Sequence, residues 1–446
     1  MLPFYRQDGD GGFSVVDYYE VDSQNGTWSD IQDLRHELDL MFDCVANHAS
    51  IDNPIVQGAL IQRALEKMEK AGNGKYQQYS QYREKCEKYK DFVIAFSEGE
   101  EPTNFGKLVR PRATPVLTKY WVYKKVDELK ATFDEPKGQE IEIIDTGFAW
   151  TTFSVTKTDG RTVEVKQVDL NFANSEVLLE MVRILLFYIN QGAGIVRLDA
   201  IGYIWKARYE LGNAVELGKT SLHEPEAHTI IQILTDILAI AAPGVVSISE
   251  VNEPQAKAIE YIGKEGEEEA DLFYQFAHYP FAVHALLFGT AEYYRKWVPT
   301  TAVANGMQFS IVAASHDGMG LKPLMGLLPE EERGRLASIL IEKHGALPNY
   351  GSAAGKQIVY ELCTTPWNAV NPPDSTDSLD VQVDRFLALI AMGLASRSVP
   401  AIYINALLGM PNNPKEEQNR DVNREKFDEE ELYRRLKDPN TQQYKV

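Results

Sequence analysis

The 446-residue chain is long enough for one large α/β domain with insertions or for two or three ordinary domains, and its 44% hydrophobic and 25% charged residues are the balance of a globular protein. With 45 Lys and Arg against 65 Asp and Glu, the formal net charge is −20. That excludes nucleic acid as a partner, because binding to phosphodiesters is driven by basic side chains releasing counterions, and it requires any phosphate site to be a local Arg or Lys cluster.

In chain order, the amino-terminal MLPFYRQDGDGG has neither the basic nor the apolar region of a signal peptide, and no run of about 18 apolar residues follows that would span a membrane. Five apolar runs end in polar or charged residues: LDLMFDCVANH (38–48), GIVRLDAIGY (194–203), VVSISEVN (245–252), FSIVAASHD (309–317) and AIYIN (401–405). Helix candidates lie between them: SEVLLEMVRILLFYIN, EPEAHTIIQILTDILAIAA, FAVHALLFGTAEYYRKW and DVQVDRFLALIAMGLAS. Buried strands that finish in Asp, Glu, His or Asn and alternate with helices predict a (β/α)8 TIM-type barrel, whose reactive residues crown the strands' C-terminal ends. The barrel is assigned to residues 1–48, 171–317 and 371–446. Residues 49–170 and 318–370 are too long for structureless loops and predict inserted subdomains after the third and seventh strands. The acidic stretch GKEGEEEAD (263–271) reads as a solvated helix end. Three cysteines (Cys44, Cys86, Cys363) lack metal spacing and suit a reducing cytoplasm without disulfides.

Residues two apart on a strand share a face, so Arg197 and Asp199 point together with Leu198 opposite. A guanidinium beside a carboxylate keeps it ionised, the state that a nucleophile forming a glycosyl ester needs. Glu250 ends the next apolar run. Neighbouring strands about 4.8 Å apart allow two such carboxylates roughly 5–5.5 Å of separation, the spacing of retaining glycosidases. The division of labour predicts a charged Asp199 and a Glu250 held partly neutral by burial and nearby negative charge. Asp317, His316 and His48 close their own runs and are candidates to bind sugar hydroxyls and support an oxocarbenium-like transition state. His36, His223, His228, His278, His284 and His344 lie in helix-like or loop contexts and receive no role. No residue set has zinc or calcium spacing and no Gly-rich phosphate loop is present, so neither metal nor cofactor is expected.

Taken together, DCVANH, GIVRLDAIGY, SISEVN and AASHDG, in that order, resemble the four sequence motifs of the α-amylase superfamily. Within it the chain is similar to the sucrose phosphorylase subgroup, which includes glucosylglycerate phosphorylases. The strings that carry this are LPFY…DGGFSVVDYY, RPRATP, WTTFS with QVDLN, RLDAIGYIWK, SHDGMG and NRDVNRE, spread over almost the whole chain. The resemblance implies Asp199 as nucleophile, Glu250 as acid/base and Asp317 as transition-state stabiliser. It also implies that Arg197, His48 and His316 line the glucosyl subsite, that Asp10 and Arg420 grip the far hydroxyls of glucose, and that Phe13 stacks on the sugar. Arg112, Lys206 and Tyr360 fall on the acceptor or phosphate side. Glu361, beside Tyr360, points to an altered acceptor preference. Members of the family begin with a further strand and helix and end with a C-terminal β-domain, so the barrel is expected to be short of its first strand.

Three functions remain open at this level. The first is an α-glucosyl phosphorylase acting on a sucrose- or glucosylglycerate-like donor with inorganic phosphate. The second is a hydrolase or transglucosidase with the same dyad, and the third is a truncated, inactive remnant.

Overall fold

Parallel strands alternate with helices along the chain in the computed structural model, which describes residues 3–74, 76–102, 108, 111, 115–124, 142–153, 155–156, 163–164, 166–206, 220–301, 307–353, 356–413 and 419–446. The chain divides into two units, Met1–Ser247 and Ile248–Val446. Among the described residues no helix is long and apolar enough to cross a membrane.

The first unit opens with an antiparallel pair, β1 (Tyr5–Gln7) and β2 (Val15–Val21). Their connection turns through Asp10–Gly12, where Gly12 has φ 109° and a Cβ would stand 2.4 Å from the Pro3 carbonyl oxygen, so only glycine fits. Helix α1 (Trp28–Leu34) starts in a capping box made by Thr27 and Asp30. It leads to β3 (Met41–Val45), whose successor β4 (His48–Ser50) leaves for the long insertion. There α2 (Pro54–Lys70) is capped by Asn53, whose Oδ1 accepts the Ile55 N–H at 2.9 Å. Strands β5 (Ala95–Ser97), β6 (Leu117–Lys124) and β7 (Glu142–Trp150) form an antiparallel sheet in the order β5-β7-β6. Val116, Leu117 and Trp150 are buried together against it. The chain then returns through β8 (Gln167–Asp169), antiparallel to β4, and α3 (Ser175–Gln191). That helix is capped by Asn174 and stopped by Gly192 at φ 107°, a left-handed position glycine adopts without a Cβ penalty.

Strand β9 (Ile195–Asp199) runs parallel to β3 with Arg197 opposite Asp43 and Asp199 opposite Val45. Phe42, Val45, Val196 and Leu198 are fully buried, as expected for strands covered on both faces. Three buried tyrosines brace β3 from beneath. Tyr5 stacks on Tyr188 at 4.6 Å and donates its hydroxyl to the Asp43 carbonyl at 3.1 Å, while the Tyr18 hydroxyl reaches the Val45 and His48 carbonyls at 3.0 and 3.1 Å. Helix α4 (Pro225–Ala241) leads into β10 (Val246–Ser249), within which the division between units falls.

In the second unit the end of β10 pairs in parallel with β11 (Leu272–Gln275), β11 with β12 (Met307–Ile311), and β12 with β16 (Val399–Ala401). Helices α5 (His278–Phe288), α6 (Glu292–Trp297) and α8 (Leu379–Leu394) pack with α7 (Glu330–His344) around a core that includes Phe281, Trp297, Leu324, Leu340, Trp367, Phe386 and Leu389. Residues 318–370 also hold a small antiparallel sheet ordered β13 (Met319–Gly320), β15 (Lys356–Cys363) and β14 (Leu347–Ala353). Six parallel strands alternating with helices are the repeating pattern of a (β/α)8 barrel, here a partial one.

Three local expectations are corrected. The acidic stretch 263–271 is not a helix end: Gly263–Lys264 and Glu267–Glu268 form a tight hairpin, made possible by φ 76° at Gly263 and φ 82° at Gly266. The helix candidate at 281–297 is broken by Gly289, at φ 63°, into α5 and α6. The run AIYIN supplies only Ala401 to a strand, because the chain turns into a short helix at Ile404–Leu407. Strand β11 was not anticipated at all, since LFYQ is short and follows the acidic stretch directly.

Candidate active site

In the first unit the chemistry gathers at the C-terminal ends of β3 and β9. Arg197 Nη1 donates to Asp199 Oδ1 at 2.7 Å and also to Asp43 Oδ1, and all three side chains are buried. One guanidinium thus serves two carboxylates and leaves an excess of negative charge in a dry setting. Burial lifts the Asp43 carboxyl to about 6, against the lowering pull of Arg197 and with help from the charge on Asp199. Its Oδ2 is buried without a hydrogen-bond partner. The Arg197 guanidinium carbon also stands 5.5 Å from the centroid of the Phe13 ring.

His48 begins β4 and is 2% exposed. Its Nε2 lies 3.2 Å from the Phe13 carbonyl oxygen, which can only accept, and its Nδ1 lies 3.1 Å from Asn47 Nδ2, which can only donate. The ring is therefore the neutral tautomer protonated at Nε2. Burial pushes its pKa down, outweighing the opposite influence of Asp199, Asp169 and Asp10. Phe153 packs on the imidazole at 5.1 Å between centroids. Asp10 has a left-handed backbone, φ 52°, and its Oδ2 accepts Gln167 Nε2 at 3.0 Å.

Lys206 does not take up the phosphate-side position expected of it. Its ammonium is buried, 3.0 Å from Asp169 Oδ2 and 2.6 Å from Asn47 Oδ1, and donates to the Tyr203 carbonyl as well. Three protein oxygens match its three hydrogens, so it is a structural cation and not a ligand for phosphate. Asp169 is completed by the Thr152 N–H at 2.8 Å and the Thr152 hydroxyl.

The second unit carries its own cluster. Glu250 follows β10 immediately and is 8% exposed. Asp317, after β12, receives Arg420 Nη1 on Oδ1 at 2.7 Å, and His316 Nε2 lies 3.6 Å from its Oδ2. Arg424 Nε donates to the His316 carbonyl at 2.7 Å, and Asn423 Nδ2 donates to the Asp317 carbonyl at 2.8 Å, so the residues 419–424 hold this corner by its backbone. Arg420 turns its other edge to Glu361, with Nε at 3.1 Å from Oε2 and Nη2 at 2.9 Å from Oε1. Glu361, expected to alter acceptor preference, is 1% exposed with both oxygens engaged by Arg420. Tyr360 sits half-buried on β15, its carbonyl accepting the Leu321 N–H at 2.9 Å.

The first unit thus brings together Phe13, His48, Arg197 and Asp199, and the second brings together His316, Asp317 and Arg420. Arg112 lies outside the described residues. Among the described residues no group of three or more His, Cys, Asp or Glu side chains could hold a metal ion. Sequence reasoning missed Asp43, Asn47 and Asp169. Asp43 had a usable signal, a carboxylate inside an apolar strand two residues before its end; Asn47 and Asp169 sit in DCVANH and QVDLN but meet only through tertiary structure.

A family model described as "Alpha amylase, catalytic domain" matches residues 1–321. The chain is 34% identical over 451 residues to a glucosylglycerate phosphorylase of Allomeiothermus silvanus, with 100% of this chain and 69% of the relative covered. It is equally 34% identical, over 453 residues and with the same coverage, to a glucosylglycerate phosphorylase of Escherichia coli. A sucrose phosphorylase of Streptococcus mutans is 26% identical over 456 residues, covering 98% of this chain and 77% of that protein. Among solved structures, sucrose 6F-phosphate phosphorylase from Thermoanaerobacter thermosaccharolyticum superposes with a TM-score of 0.73 at 21% identity, covering 100% of this chain and 78% of that one, a likeness of fold.

Proposed function

The chain belongs to the alpha-amylase catalytic-domain family, and from that premise we propose that it is a retaining α-glucosyl phosphorylase whose donor is glucosylglycerate. The observation that carries this reading is the buried Arg197–Asp199 pair at the end of β9, in a chain 34% identical along its whole length to glucosylglycerate phosphorylases and only 26% identical to a sucrose phosphorylase.

In the proposed reaction an Asp199 oxygen attacks the anomeric carbon with inversion. The bond to the glycerate oxygen breaks as Glu250 delivers a proton to it. A phosphate oxygen then attacks the same carbon from the other face as its proton passes back to Glu250, and the ester to Asp199 breaks with a second inversion to leave α-glucose 1-phosphate. Arg197 holds Asp199 aimed, and Asp317 stabilises the positive charge that develops on the sugar. His48, as its neutral tautomer, and His316 are assigned to the glucosyl hydroxyls, with Phe13 as the stacking ring and Asp10 and Arg420 on the far hydroxyls. With Lys206 committed to Asp169, the phosphate is assigned to Arg112 in RPRATP, and Tyr360 to the acceptor side. Three free, buried cysteines and a phosphate co-substrate favour the cytoplasm as the place of action.

The test is incubation with glucosylglycerate and, separately, sucrose, with and without inorganic phosphate. The proposal expects phosphate-dependent glucose 1-phosphate from glucosylglycerate and little from sucrose. Free glucose formed equally well without phosphate would make the protein a hydrolase, and no turnover of either donor would make it an inactive relative.

A further inference from the structure

Glu361 is a buried charge with an unusual set of neighbours. Its two oxygens accept from Arg420 Nε at 3.1 Å, Arg420 Nη2 at 2.9 Å, the Gly318 N–H at 3.1 Å and Asn349 Nδ2 at 2.6 Å. Every one of these partners is a donor, so only a carboxylate satisfies the site; a glutamine would turn an amide N–H toward one of them. The four donors come from three places. Arg420 lies in the turn Asn419–Asn423, Gly318 is the residue after Asp317, and Asn349 is on β14. A Cβ on Gly318 would come within 2.6 Å of the Glu361 side chain and 2.8 Å of the Leu362 carbonyl, so the backbone after Asp317 is fitted directly against β15.

The consequence lies in how Arg420 is shared. Its Nε and Nη2 edge faces Glu361, and only Nη1 remains for Asp317, at 2.7 Å. We propose that Glu361 is a positioning residue for glucosyl transfer: it holds Arg420 edge-on and so keeps the guanidinium from closing a two-pronged ion pair on Asp317. Bidentate Arg–carboxylate pairs are the strong ones, so Arg420 released from Glu361 would rotate onto Asp317 and neutralise it. Asp317 would then have less charge to offer a developing oxocarbenium ion, and Arg420 would leave the place from which it reaches sugar. This role rests on the assignment of Asp317 and Arg420 to the glucosyl site made above.

The experiment is a double-mutant cycle on Glu361→Gln and Arg420→Ala, with Glu361→Asp as the conservative variant, followed by turnover of α-glucosyl fluoride, a donor whose departing fluoride is independent of the natural acceptor. Glu361→Gln is expected to lower kcat about 100-fold, the scale of loss when a reacting group is misplaced by about 1 Å, while KM changes less than kcat. Glu361→Asp should recover part of that loss because it restores the charge. In the Arg420→Ala background Glu361→Gln should cost almost nothing more, since its effect passes through Arg420. Independent, multiplying losses, or a Glu361→Gln enzyme within two-fold of the parent, would overturn the proposal. If the parent itself fails to turn over the fluoride, the functional reading is at fault. The positioning claim is then decided by a crystal structure of Glu361→Gln, expected with Arg420 swung onto Asp317, and overturned by an unmoved guanidinium.

Discussion

Arg197 and Asp43 are partners in the parallel register of β9 and β3, and their side chains meet in a buried hydrogen bond from the same nitrogen that serves Asp199. The orientation of Asp199, the proposed nucleophile, is therefore fixed by a strand pairing and not by a loop. Replacing Arg197 with Lys keeps the charge, but the shorter side chain cannot place its nitrogen where Nη1 stands between the two carboxylates, so their present directions are lost. Arg197→Lys is expected to lower kcat by about 10²–10³-fold, the usual scale for removing one preorganised donor, as measured by single-turnover kinetics on α-glucosyl fluoride.

Asp43 gives that cluster a pH signature. A buried carboxyl raised to about 6 binds its proton more tightly in the folded chain than in the unfolded one. The stability it contributes is then fully present below its unfolded pKa, about 4, and is lost as pH rises through about 6. Asp43→Asn lacks this dependence. The unfolding free energy of the parent, relative to Asp43→Asn, should therefore fall between about pH 4 and pH 6 and level off above; urea titrations across that range check it. A difference that rises with pH would mean that Arg197 holds Asp43 ionised.

Lys206 and Asp169 supply a stability test. Removing one partner of a buried ion pair leaves an uncompensated charge, a loss of about 3–5 kcal/mol. Lys206→Met should be destabilised by that much, and Lys206→Met with Asp169→Leu should be destabilised by less than the single change. If phosphate instead depended on Lys206, Lys206→Met would raise the KM for phosphate at unchanged stability.

Glu250 is separable from Asp199 by chemistry. Glu250→Ala should keep the first step for donors with good leaving groups, because protonation of the leaving atom is not needed there, and should form α-glucosyl azide when azide is supplied, since azide takes the place of phosphate in the second inversion. Asp199→Ala should do neither. A β-configured azide from Glu250→Ala would mean a single displacement and contradict an intermediate on Asp199.

Much of this was legible in the sequence because it depends on short-range rules. The strand period alone aligned Arg197 with Asp199 and opposed Leu198; β3, β9 and β10 each stand within an apolar run read from composition, and β12 overlaps the start of one. What escaped notice depends on partners distant in sequence. Lys206 looked like a phosphate ligand until Asp169 and Asn47, 37 and 159 positions away, were seen around it. Glu361 looked like an acceptor residue because nothing local discloses that Arg420, 59 positions later, has claimed both its oxygens. The hairpin at 263–268 was misread because charge density speaks for solvent exposure and says little about backbone shape, which two left-handed glycines decided.

The most direct test of the account is to trap the intermediate. Glu250→Gln incubated with α-glucosyl fluoride, without phosphate, should accumulate a protein heavier by one glucosyl residue, and peptide mapping should find that residue on Asp199. An adduct on any other side chain, or rapid turnover with no adduct in the presence of an intact Asp199 and none of the Glu250 carboxylate, would contradict it.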